Sequence, residues 1–238
     1  MTPSDAVFNL TIVIPAFNEG ANIASTVEEA IHRLGNTLLH CAQFVLVDDG
    51  SSDETGREME ALARKFPQVT VISHQVNKGL GAAIYSGMLA ATEEWVSWIP
   101  ADGQISPENI ELLSRAVDTD SIAILLRPER QRTLGRRILT AAFSCVVQAA
   151  LSDRYRRYSG VFLVPRERVK TLQLVASTAV QNLAVIEHCV LQGARVAAVE
   201  GTLRPRASGF SKVANAKTTL QTFWETLCIK RRMNDQDA

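Results

Sequence analysis

The chain has few of the features that mark secreted, membrane-spanning or zinc-binding proteins. Its 238 residues include only 4 histidines and 4 cysteines, without CxxC or metal-ligand spacing. Such cysteines are typical of reduced, mostly buried thiols in a cytosolic protein. The N-terminus lacks a signal-peptide pattern, and no apolar run reaches the roughly 18 residues of a spanning helix. We therefore expect a cytoplasmic protein whose membrane contact, if present, is peripheral at the cytosolic face.

Polar loops follow four apolar runs, and each loop leads into a helical pattern. The runs occupy residues 11–14, 44–47, 69–72 and 95–99. In a doubly wound parallel sheet, the loops at the carboxyl ends of the strands meet at one edge, where ligands bind. The acids there, Glu19, Asp48, Asp49 and Asp102, are therefore expected to share one crevice. The predicted fold class is α/β, a Rossmann-like, mostly parallel sheet flanked by helices.

Two of these loops contain residues suited to phosphates and cations. Gly79 and Gly81 allow close backbone approach at a helix start, where N–H groups favour phosphate. Asp102 and Gln104 place a carboxylate and an amide oxygen two residues apart, an arrangement that suits Mg²⁺ or Mn²⁺. The alternatives are a tight helix entry in the first loop and a plain polar turn in the second.

Two helix ends have recognisable local signals. Ser51 followed by Glu54 fits a capping box, which predicts that Ser51 caps the second helix. Gly193 follows a helical pattern over residues 181–192 and is expected to end it as a glycine C-cap.

The net charge of zero conceals opposite charges in two parts of the chain. Residues 1–126 hold 6 Lys/Arg and 17 Asp/Glu, whereas residues 127–212 hold 15 and 5. The acidic part is expected to hold a nucleotide and a cation. The basic part attracts anions, such as a diphosphate, an acceptor phosphate or anionic lipid headgroups. Nucleic acid is not expected, because the basic part lacks interleaved stacking aromatics.

Six segments in order resemble the family-2 glycosyltransferases of the GT-A fold. They are IPAFNE, VLVDDGSSDET, NKGLGAAIYSGMLAA, PADGQISPE, YSGVFLVPRE and RASGFSK, spread over about residues 10–212. Within the family, the chain is most similar to the polyprenyl-phosphate glycosyltransferases related to dolichol-phosphate mannose synthase. The resemblance implies a GT-A domain over residues 1–212 and a separate C-terminal helix and tail over 213–238.

The resemblance also implies a nucleotide-diphosphate sugar donor, a GDP- or UDP-hexose, and a divalent cation. The implied donor-binding residues are Pro15, Phe17, Glu19, Asp48, Asp49, Lys78, Gly79 and Asp102. Asp102 and Gln104 would bind Mg²⁺ or Mn²⁺ at the diphosphate. The chain departs from the family pattern at Pro100, where an Asp usually precedes this site. Proline offers no side-chain ligand, so the predicted metal site has one carboxylate fewer.

A polyprenyl phosphate is the acceptor that the resemblance implies, with inversion at the sugar. The implied phosphate-binding residues are Arg127, Arg136, Arg137, Ser159, Arg206, Ser211 and Lys212. Arginine suits this role because its planar guanidinium binds phosphate in a bidentate manner. Asp102, Arg127 and Lys212 are the residues expected to carry catalysis.

Two other functions remain open at the level of the sequence. The first is transfer to a hydroxyl of a glycan, lipid or natural product, which needs a carboxylate base. Glu187 and Glu200 are the candidates for that base. The position of Glu187 in the middle of a helix favours a structural role for this residue. The second is a weakened or non-catalytic nucleotide-sugar binding protein, which Pro100 suggests.

The C-terminal segment 213–233 has a helical pattern with apolar residues expected on one side. They are Leu220, Phe223, Trp224, Leu227, Cys228 and Ile229, followed by the basic run 230–232. One interpretation is a helix packed on the domain, with the basic run complementing the helix dipole. The other is an amphipathic helix resting on an anionic membrane. The pattern does not separate them.

Overall fold

The computed structural model describes residues 9–35, 43–118, 120–128, 157–204 and 221–229 as an α/β arrangement. The strands are β1 (Leu10–Ala16), β2 (Gln43–Asp48), β3 (Val69–Ser73), β4 (Trp95–Trp98), β5 (Ser121–Leu126), β6 (Tyr158–Pro165) and β7 (Arg195–Glu200). The helices are α1 (Gly20–Gly35), α2 (Thr55–Lys65), α3 (Leu80–Leu89), α4 (Glu108–Ser114), α5 (Arg166–Val169) and α6 (Val180–Leu191). A further helical stretch, α7, covers residues 221–229.

The strands form one sheet in the order β3-β2-β1-β4-β6-β5-β7. Neighbouring strands pair in parallel except at β6, which runs antiparallel to β4 and β5. The predicted α/β class with a mostly parallel sheet is therefore confirmed. The strand order reverses between β1 and β4, and such a switch point opens a crevice at the carboxyl ends of the strands.

The inner strands of the sheet are buried, whereas the edge strands β3 and β7 are mostly half-buried or exposed. Every residue of β1 is buried, as are nearly all residues of β2 and β5. Continuous apolar runs of this kind are expected when both faces of a parallel strand are covered. Helix α3 approaches β1 very closely, since a Cβ built on Gly87 would lie 2.9 Å from Cγ2 of Val13. Glycine at this position permits the contact.

The predicted capping box at α2 is wrong. Within the described residues, Glu54 occupies the N-cap and makes no side-chain cap hydrogen bond. The Ser51 hydroxyl instead accepts a hydrogen bond from the backbone N–H of Asn18, at 2.9 Å. Asp53 serves the helix start, because its carboxylate accepts the N–H of Thr55 at 3.0 Å. The Ser51 side chain thus joins two loops rather than capping its own helix.

The predicted glycine end of α6 agrees with the structure, where Gly193 follows the C-cap with φ +84°.

Helix α7 does not place its apolar residues on one side as predicted. Ile229 is buried, whereas Phe223, Trp224 and Leu227 are 41%, 63% and 51% exposed. Leu227 and Ile229 are two positions apart, which is a rotation of about 200° around a helix with 3.6 residues per turn. They therefore face opposite ways. The other residues of the predicted 213–233 helix lie outside the described residues.

No helix in the described ranges combines the length and apolar character needed to cross a bilayer.

Candidate functional site

The carboxyl ends of the strands bring the predicted donor loops to one edge of the sheet. In the β1–β2–β3 register, Ala16 lies beside Asp48, and Asp48 lies beside Ser73. Backbone bonds continue this register into the loops, since Asp49 N–H donates to Ala16 C=O at 2.9 Å and His74 N–H donates to Asp48 C=O at 2.9 Å. Asp48 and Asp49 thus lie beside the carboxyl end of β1, from which the loop that carries Glu19 begins.

The loops after β1 and β2 are tied into one unit by side-chain hydrogen bonds. Asn18, with φ of 53°, accepts the backbone N–H of Ser52 on its Oδ1 atom at 2.8 Å. The N–H of Glu19 donates to the Thr55 hydroxyl at 2.8 Å. Phe17 and Glu19 are half-buried at this junction, whereas Pro15 is buried within β1. The unit presents Phe17 and Glu19 at the edge of the crevice.

Asp49 organises the glycine loop that leads into α3. Its carboxylate accepts the backbone N–H groups of Lys78 at 2.9 Å and Gly79 at 2.8 Å. The Nδ1 atom of His74 lies 2.7 Å from the same carboxylate, and its Nε2 atom lies 3.0 Å from the Ser86 hydroxyl. Asp49 is 3% exposed, so its oxygens are committed to the shape of this loop. Asp49 therefore fixes the backbone conformation of residues 78–79.

Asp48 has a different environment from its neighbour. Its Oδ1 atom accepts the backbone N–H of Ser51 at 3.0 Å, and a Cβ built on Gly56 would lie 2.8 Å from its Oδ2 atom. Gly56 thus leaves room for the carboxylate beside the first turn of α2. This arrangement keeps a nearly buried acid at the carboxyl end of β2.

The glycine loop is held from its other side by the segment before α6. Gly79 has φ of +95°, and a Cβ at this position would lie 2.5 Å from the carbonyl oxygen of Ser177. The N–H of Gly81 donates to that carbonyl oxygen at 2.8 Å. Glycine is required at position 79 both for the backbone conformation and for this close approach. Lys78 is exposed immediately before it.

The predicted metal loop lies across the crevice, after β4. Asp102 is 8% exposed, and its Oδ1 atom accepts the backbone N–H of Gln104 at 3.1 Å. The Thr26 hydroxyl of α1 donates to Ala101 C=O at 3.0 Å and so attaches the loop to this helix. Across the described ranges, no group of three or more His, Cys, Asp or Glu side chains is arranged to hold a metal ion.

Residues after β7 lie against this metal loop. Leu203 forms an antiparallel bridge with Ile105, and Arg204 N–H donates to Gln104 C=O at 2.9 Å. The Arg204 guanidinium lies 2.7 Å from Glu29 and 3.2 Å from Glu108. Its hydrogen bond to Glu29 holds the pKa of Arg204 above its usual value. Arg204 thus pairs with carboxylates. The predicted phosphate ligands that follow it in the sequence, Arg206, Ser211 and Lys212, lie outside the described residues.

On the acceptor side, the structure brings Arg127 and Ser159 together. Arg127 is exposed at the end of β5, and its guanidinium lies 3.5 Å from the carbonyl oxygen of Ser159 in β6. The two strands are also joined by Arg127 N–H, which donates to Arg157 C=O at 2.7 Å. Both residues were expected to bind the acceptor phosphate. Arg136 and Arg137, predicted for the same role, lie outside the described residues.

The two candidate bases lie in different settings. Glu200 is exposed at the end of β7 and lies 2.9 Å from the Arg157 guanidinium. Glu187 is half-buried in α6, seven residues after the first residue of that helix. At 1.5 Å per residue, this places it about 10 Å along the axis from the helix start that borders the glycine loop. Neither position resembles a base at the centre of the crevice.

Asn182 is a residue of the crevice that the sequence did not reveal. It is 1% exposed in the first turn of α6, and within the described residues neither its oxygen nor its nitrogen has a hydrogen-bond partner. A Cβ built on Gly160, which has φ of +99°, would lie 3.3 Å from its Nδ2 atom and 3.5 Å from the Trp98 ring. Trp98 in turn donates its indole N–H to Gly160 C=O at 2.9 Å. The carboxamide thus lies beside Gly160 of β6 and close to Trp98 of β4, the strand that leads into the metal loop.

Comparison with known proteins agrees with this architecture. Residues 11–169 match the model of the family described as glycosyl transferase family 2. Glucosyl-3-phosphoglycerate synthase from Mycobacterium tuberculosis, solved with Mn²⁺, UDP and phosphoglyceric acid, is 20% identical with a TM-score of 0.68. That comparison covers 95% of this chain and 78% of the synthase. At this identity the likeness concerns the fold.

Several curated relatives are sugar transferases named for lipid phosphates. A dolichyl-phosphate beta-glucosyltransferase of Trichomonas vaginalis is 29% identical over 54% of this chain and 42% of its own length. An undecaprenyl-phosphate 4-deoxy-4-formamido-L-arabinose transferase of Yersinia enterocolitica is 28% identical over 71% and 52%. A dolichol-phosphate mannosyltransferase of Pyrococcus furiosus is 34% identical over 47% and 31%. The chain therefore spans about half, or less, of the length of these relatives.

Proposed function

Because the chain belongs to glycosyl transferase family 2, we propose that it transfers a hexose from a nucleotide-diphosphate sugar to a polyprenyl phosphate. The main supporting observation is the contact between the Arg127 guanidinium, at the end of β5, and the Ser159 carbonyl oxygen in β6. This contact holds the Arg127 guanidinium beside β6, where its positive charge would bind an acceptor phosphate. The names of the curated relatives, which specify dolichyl and undecaprenyl phosphates, support the same acceptor class.

The donor nucleotide would lie along the unit formed by the loops after β1 and β2. Phe17 offers an apolar surface for the base, and Glu19 and Asp48 offer acceptors for base or ribose donors. Asp49 acts by fixing the backbone of Lys78 and Gly79, which border the diphosphate. Lys78 is exposed and adds a positive charge at the place where diphosphate charge must be balanced.

The residues of the metal loop fit a divalent cation that has few protein ligands. Asp102 supplies a carboxylate and Gln104 a neutral oxygen, and both belong to the hard ligands that Mg²⁺ and Mn²⁺ prefer. Mg²⁺ normally keeps several waters and binds substrate phosphates alongside one or two carboxylates. A bound cation would neutralise charge that develops on the leaving diphosphate.

The remaining chemistry needs little from the protein. An acceptor phosphate is already an anion near neutral pH, so its oxygen can attack the anomeric carbon without a side-chain base. The new C–O bond forms as the bond to the diphosphate oxygen breaks, and a single displacement inverts the anomeric centre. The tasks of Arg127 and Lys212 are then to orient the acceptor phosphate and balance its charge. The peripheral settings of Glu187 and Glu200 agree with a reaction without a base.

The decisive experiment separates acceptor classes. Purified protein is given GDP- and UDP-hexoses with Mg²⁺ or Mn²⁺, and release of nucleotide diphosphate is measured with a polyprenyl phosphate or the matching polyprenol. We expect transfer to the phosphate and none to the alcohol. Transfer to the alcohol or a sugar hydroxyl, with activity lost in Glu187→Gln or Glu200→Gln, would instead establish the hydroxyl-acceptor reaction. Binding of donor without any turnover would establish a non-catalytic binding protein.

A further inference from the structure

Helix α7 is attached to the rest of the protein by a buried carboxylate. Glu225 is 6% exposed, although Phe223 and Trp224 on the same helix are among the most exposed large apolar residues of the described chain. Burial of an ionised carboxylate is costly unless hydrogen bonds compensate it. The position of Glu225 is therefore informative, because the helix buries a charge while Phe223, Trp224 and Leu227 stay exposed.

The Glu225 carboxylate accepts hydrogen bonds from Ser177 and Thr178, which precede the N-cap residue of α6. Its Oε1 atom accepts the N–H of Ser177 at 3.2 Å and the Ser177 hydroxyl at 3.1 Å. Its Oε2 atom accepts the N–H of Thr178 at 3.2 Å and also the Thr178 hydroxyl. Gln221, one turn earlier on α7, adds a donor to Oε1 at 3.1 Å. The carboxylate thus ties the backbone of residues 177–178 in place.

These contacts keep Glu225 ionised. Burial alone would raise the pKa of this carboxyl, but the hydrogen bonds from Thr178, Ser177 and Gln221 outweigh burial and leave its pKa below the ordinary value. Hydrogen bonds to a charged acceptor are roughly twice as strong as those between neutral groups. The link between α7 and residues 177–178 is therefore a charged one at neutral pH.

The same two residues support the glycine loop. The carbonyl oxygen of Ser177 accepts the N–H of Gly81 at 2.8 Å, and it lies against the Cα of Gly79, where a Cβ would come within 2.5 Å. On the opposite side, Asp49 holds the N–H groups of Lys78 and Gly79. The loop is thus clamped between Asp49 and Ser177, and Glu225 holds the second half of that clamp.

We propose that Glu225 is a positioning residue for the donor: by fixing residues 177–178 it sets the conformation of the loop at residues 78–81, so that α7 is part of the donor site. The proposal rests on the proposed function in placing a donor diphosphate at this loop. Glu225 itself does not contact the donor. Its effect is therefore expected in donor binding and not in acceptor binding or in the chemical step.

The test compares Glu225→Ala, Glu225→Gln and the matched charge-removal control Glu167→Gln, an exposed glutamate whose partner is Lys170. Binding of GDP and of UDP, each with Mg²⁺, is measured by calorimetry well below the unfolding temperature. We expect Glu225→Ala to weaken binding about five- to tenfold, within the usual range of coupling between sites. Glu225→Gln keeps one acceptor oxygen and should fall between parent and Ala, whereas Glu167→Gln should bind as the parent does. In transfer assays the donor KM should rise while kcat and the acceptor KM stay the same.

Two further measurements guard the test. Thr178→Val removes one hydroxyl donor with little change of shape, so it should reproduce part of the loss if Glu225→Ala fails to fold. Hydrogen exchange at residues 80–83 of the nucleotide-free protein should be faster in Glu225→Gln than in Glu167→Gln, because the clamp is loosened. Lower stability with unchanged nucleotide affinity and unchanged exchange would overturn the proposal. If the parent protein binds nucleotide but does not transfer a hexose to polyprenyl phosphate, only the acceptor assignment is overturned.

Discussion

At the scale of single residues, the metal loop depends on Asp102. We expect Asp102→Asn to abolish transfer while the fold is retained, because an asparagine oxygen can still accept the N–H of Gln104 that Asp102 accepts at 3.1 Å. A loss of transfer would therefore be caused by removal of the negative charge that binds the cation, and not by disruption of the turn at residues 102–104. Turnover is measured across a titration of Mg²⁺ and Mn²⁺, and unfolding is followed by circular dichroism. Equal turnover in variant and parent at saturating metal would contradict a ligand role.

Pro100 offers the complementary gain of a ligand. Pro100→Asp adds a carboxylate two residues before Asp102 and should lower the metal concentration for half-maximal activity. Proline has no N–H and a fixed φ, so the substitution also frees the backbone at this position. An unchanged metal dependence would indicate that side chains at position 100 point away from the cation.

Arg127 is expected to act on the acceptor. Loss of a charge-assisted hydrogen bond to phosphate in Arg127→Gln should raise the acceptor KM about ten- to a hundredfold. Hydrolysis of the donor by water should suffer less, since it needs no acceptor. The matched control is Arg115→Gln, which removes an exposed guanidinium that lies 3.9 Å from Glu111 at the end of α4. Equal losses of transfer and hydrolysis would assign Arg127 to the donor diphosphate.

The Asn182 carboxamide is expected to lower the stability of the fold and to contribute to activity. A buried carboxamide without partners costs free energy, so an apolar side chain of similar size should be tolerated or favoured by the fold. We expect Asn182→Leu to unfold at a temperature equal to or above that of the parent, and to lose transfer activity. The two measurements are thermal unfolding and kcat/KM. Asn182→Leu with full activity would show that the carboxamide has no part in the reaction.

At the scale of elements, the close approach of α3 to β1 depends on Gly87. Gly87→Ala adds a methyl group that meets both γ-methyl groups of Val13. Overpacking of this kind costs about 1–3 kcal/mol. The free energy of unfolding is measured by urea titration for Gly87→Ala, Val13→Ala and the double variant. If the clash is the cause, the double variant loses less than the sum of the singles.

The elements also show where sequence patterns suffice. The strand runs at 44–47 and 69–72 lie inside β2 and β3. Burial on both faces explains the continuous apolar signal of β2, whereas β3 is marked by its β-branched residues although only Val69 is buried. The cap at Ser51 and the apolar side of α7 were wrong, because both depend on partners distant in sequence. Ser51 bonds to Asn18, and Glu225 bonds to Ser177 and Thr178. A local pattern contains no information about such partners.

At the scale of the whole molecule, the same distinction applies to the candidate site. Topology brings the acids at 19, 48, 49 and 102 to the carboxyl edge of the sheet, and this follows from alternating strands and helices. Three buried polar residues, His74, Asn182 and Glu225, have no sequence signal, since each is a single polar residue within an apolar or mixed segment. Asp53 differs from these residues, because it lies two positions before Thr55 at the start of α2. That spacing is typical of an aspartate that accepts a backbone N–H at a helix start, so the sequence does indicate its role.

The charge asymmetry also acquires a structural meaning at this scale. Arg204, from the basic part of the chain, pairs with Glu29 and Glu108 from the acidic part. Exposed pairs of this kind contribute little stability individually. Their value is geometric, because they fix the chain after β7 against the metal loop. Arg204 thus lies beside Gln104, and the predicted phosphate ligands Arg206, Ser211 and Lys212 follow it in the sequence.

The final prediction concerns contact between the whole protein and a lipid surface. Phe223, Trp224 and Leu227 are exposed on α7, and the basic run 230–232 follows them in the sequence. An apolar side next to cations is the composition of helices that rest on anionic membranes. We expect liposomes containing anionic lipid to recruit the protein, and recruitment to weaken as salt screens charges beyond about 8–10 Å. The measurement is co-sedimentation across a salt series.

The variant that tests this surface replaces Phe223, Trp224 and Leu227 with serine. It removes the exposed apolar side chains and leaves the Glu225 carboxylate and its partners in place. Recruitment should therefore fall while nucleotide binding stays at the parent value, the reverse of the pattern expected for Glu225→Ala. Transfer to a polyprenyl phosphate embedded in liposomes should decline with recruitment, whereas transfer to a short, water-soluble analogue should not. Unchanged recruitment in the serine variant would exclude this side of α7 as the membrane contact.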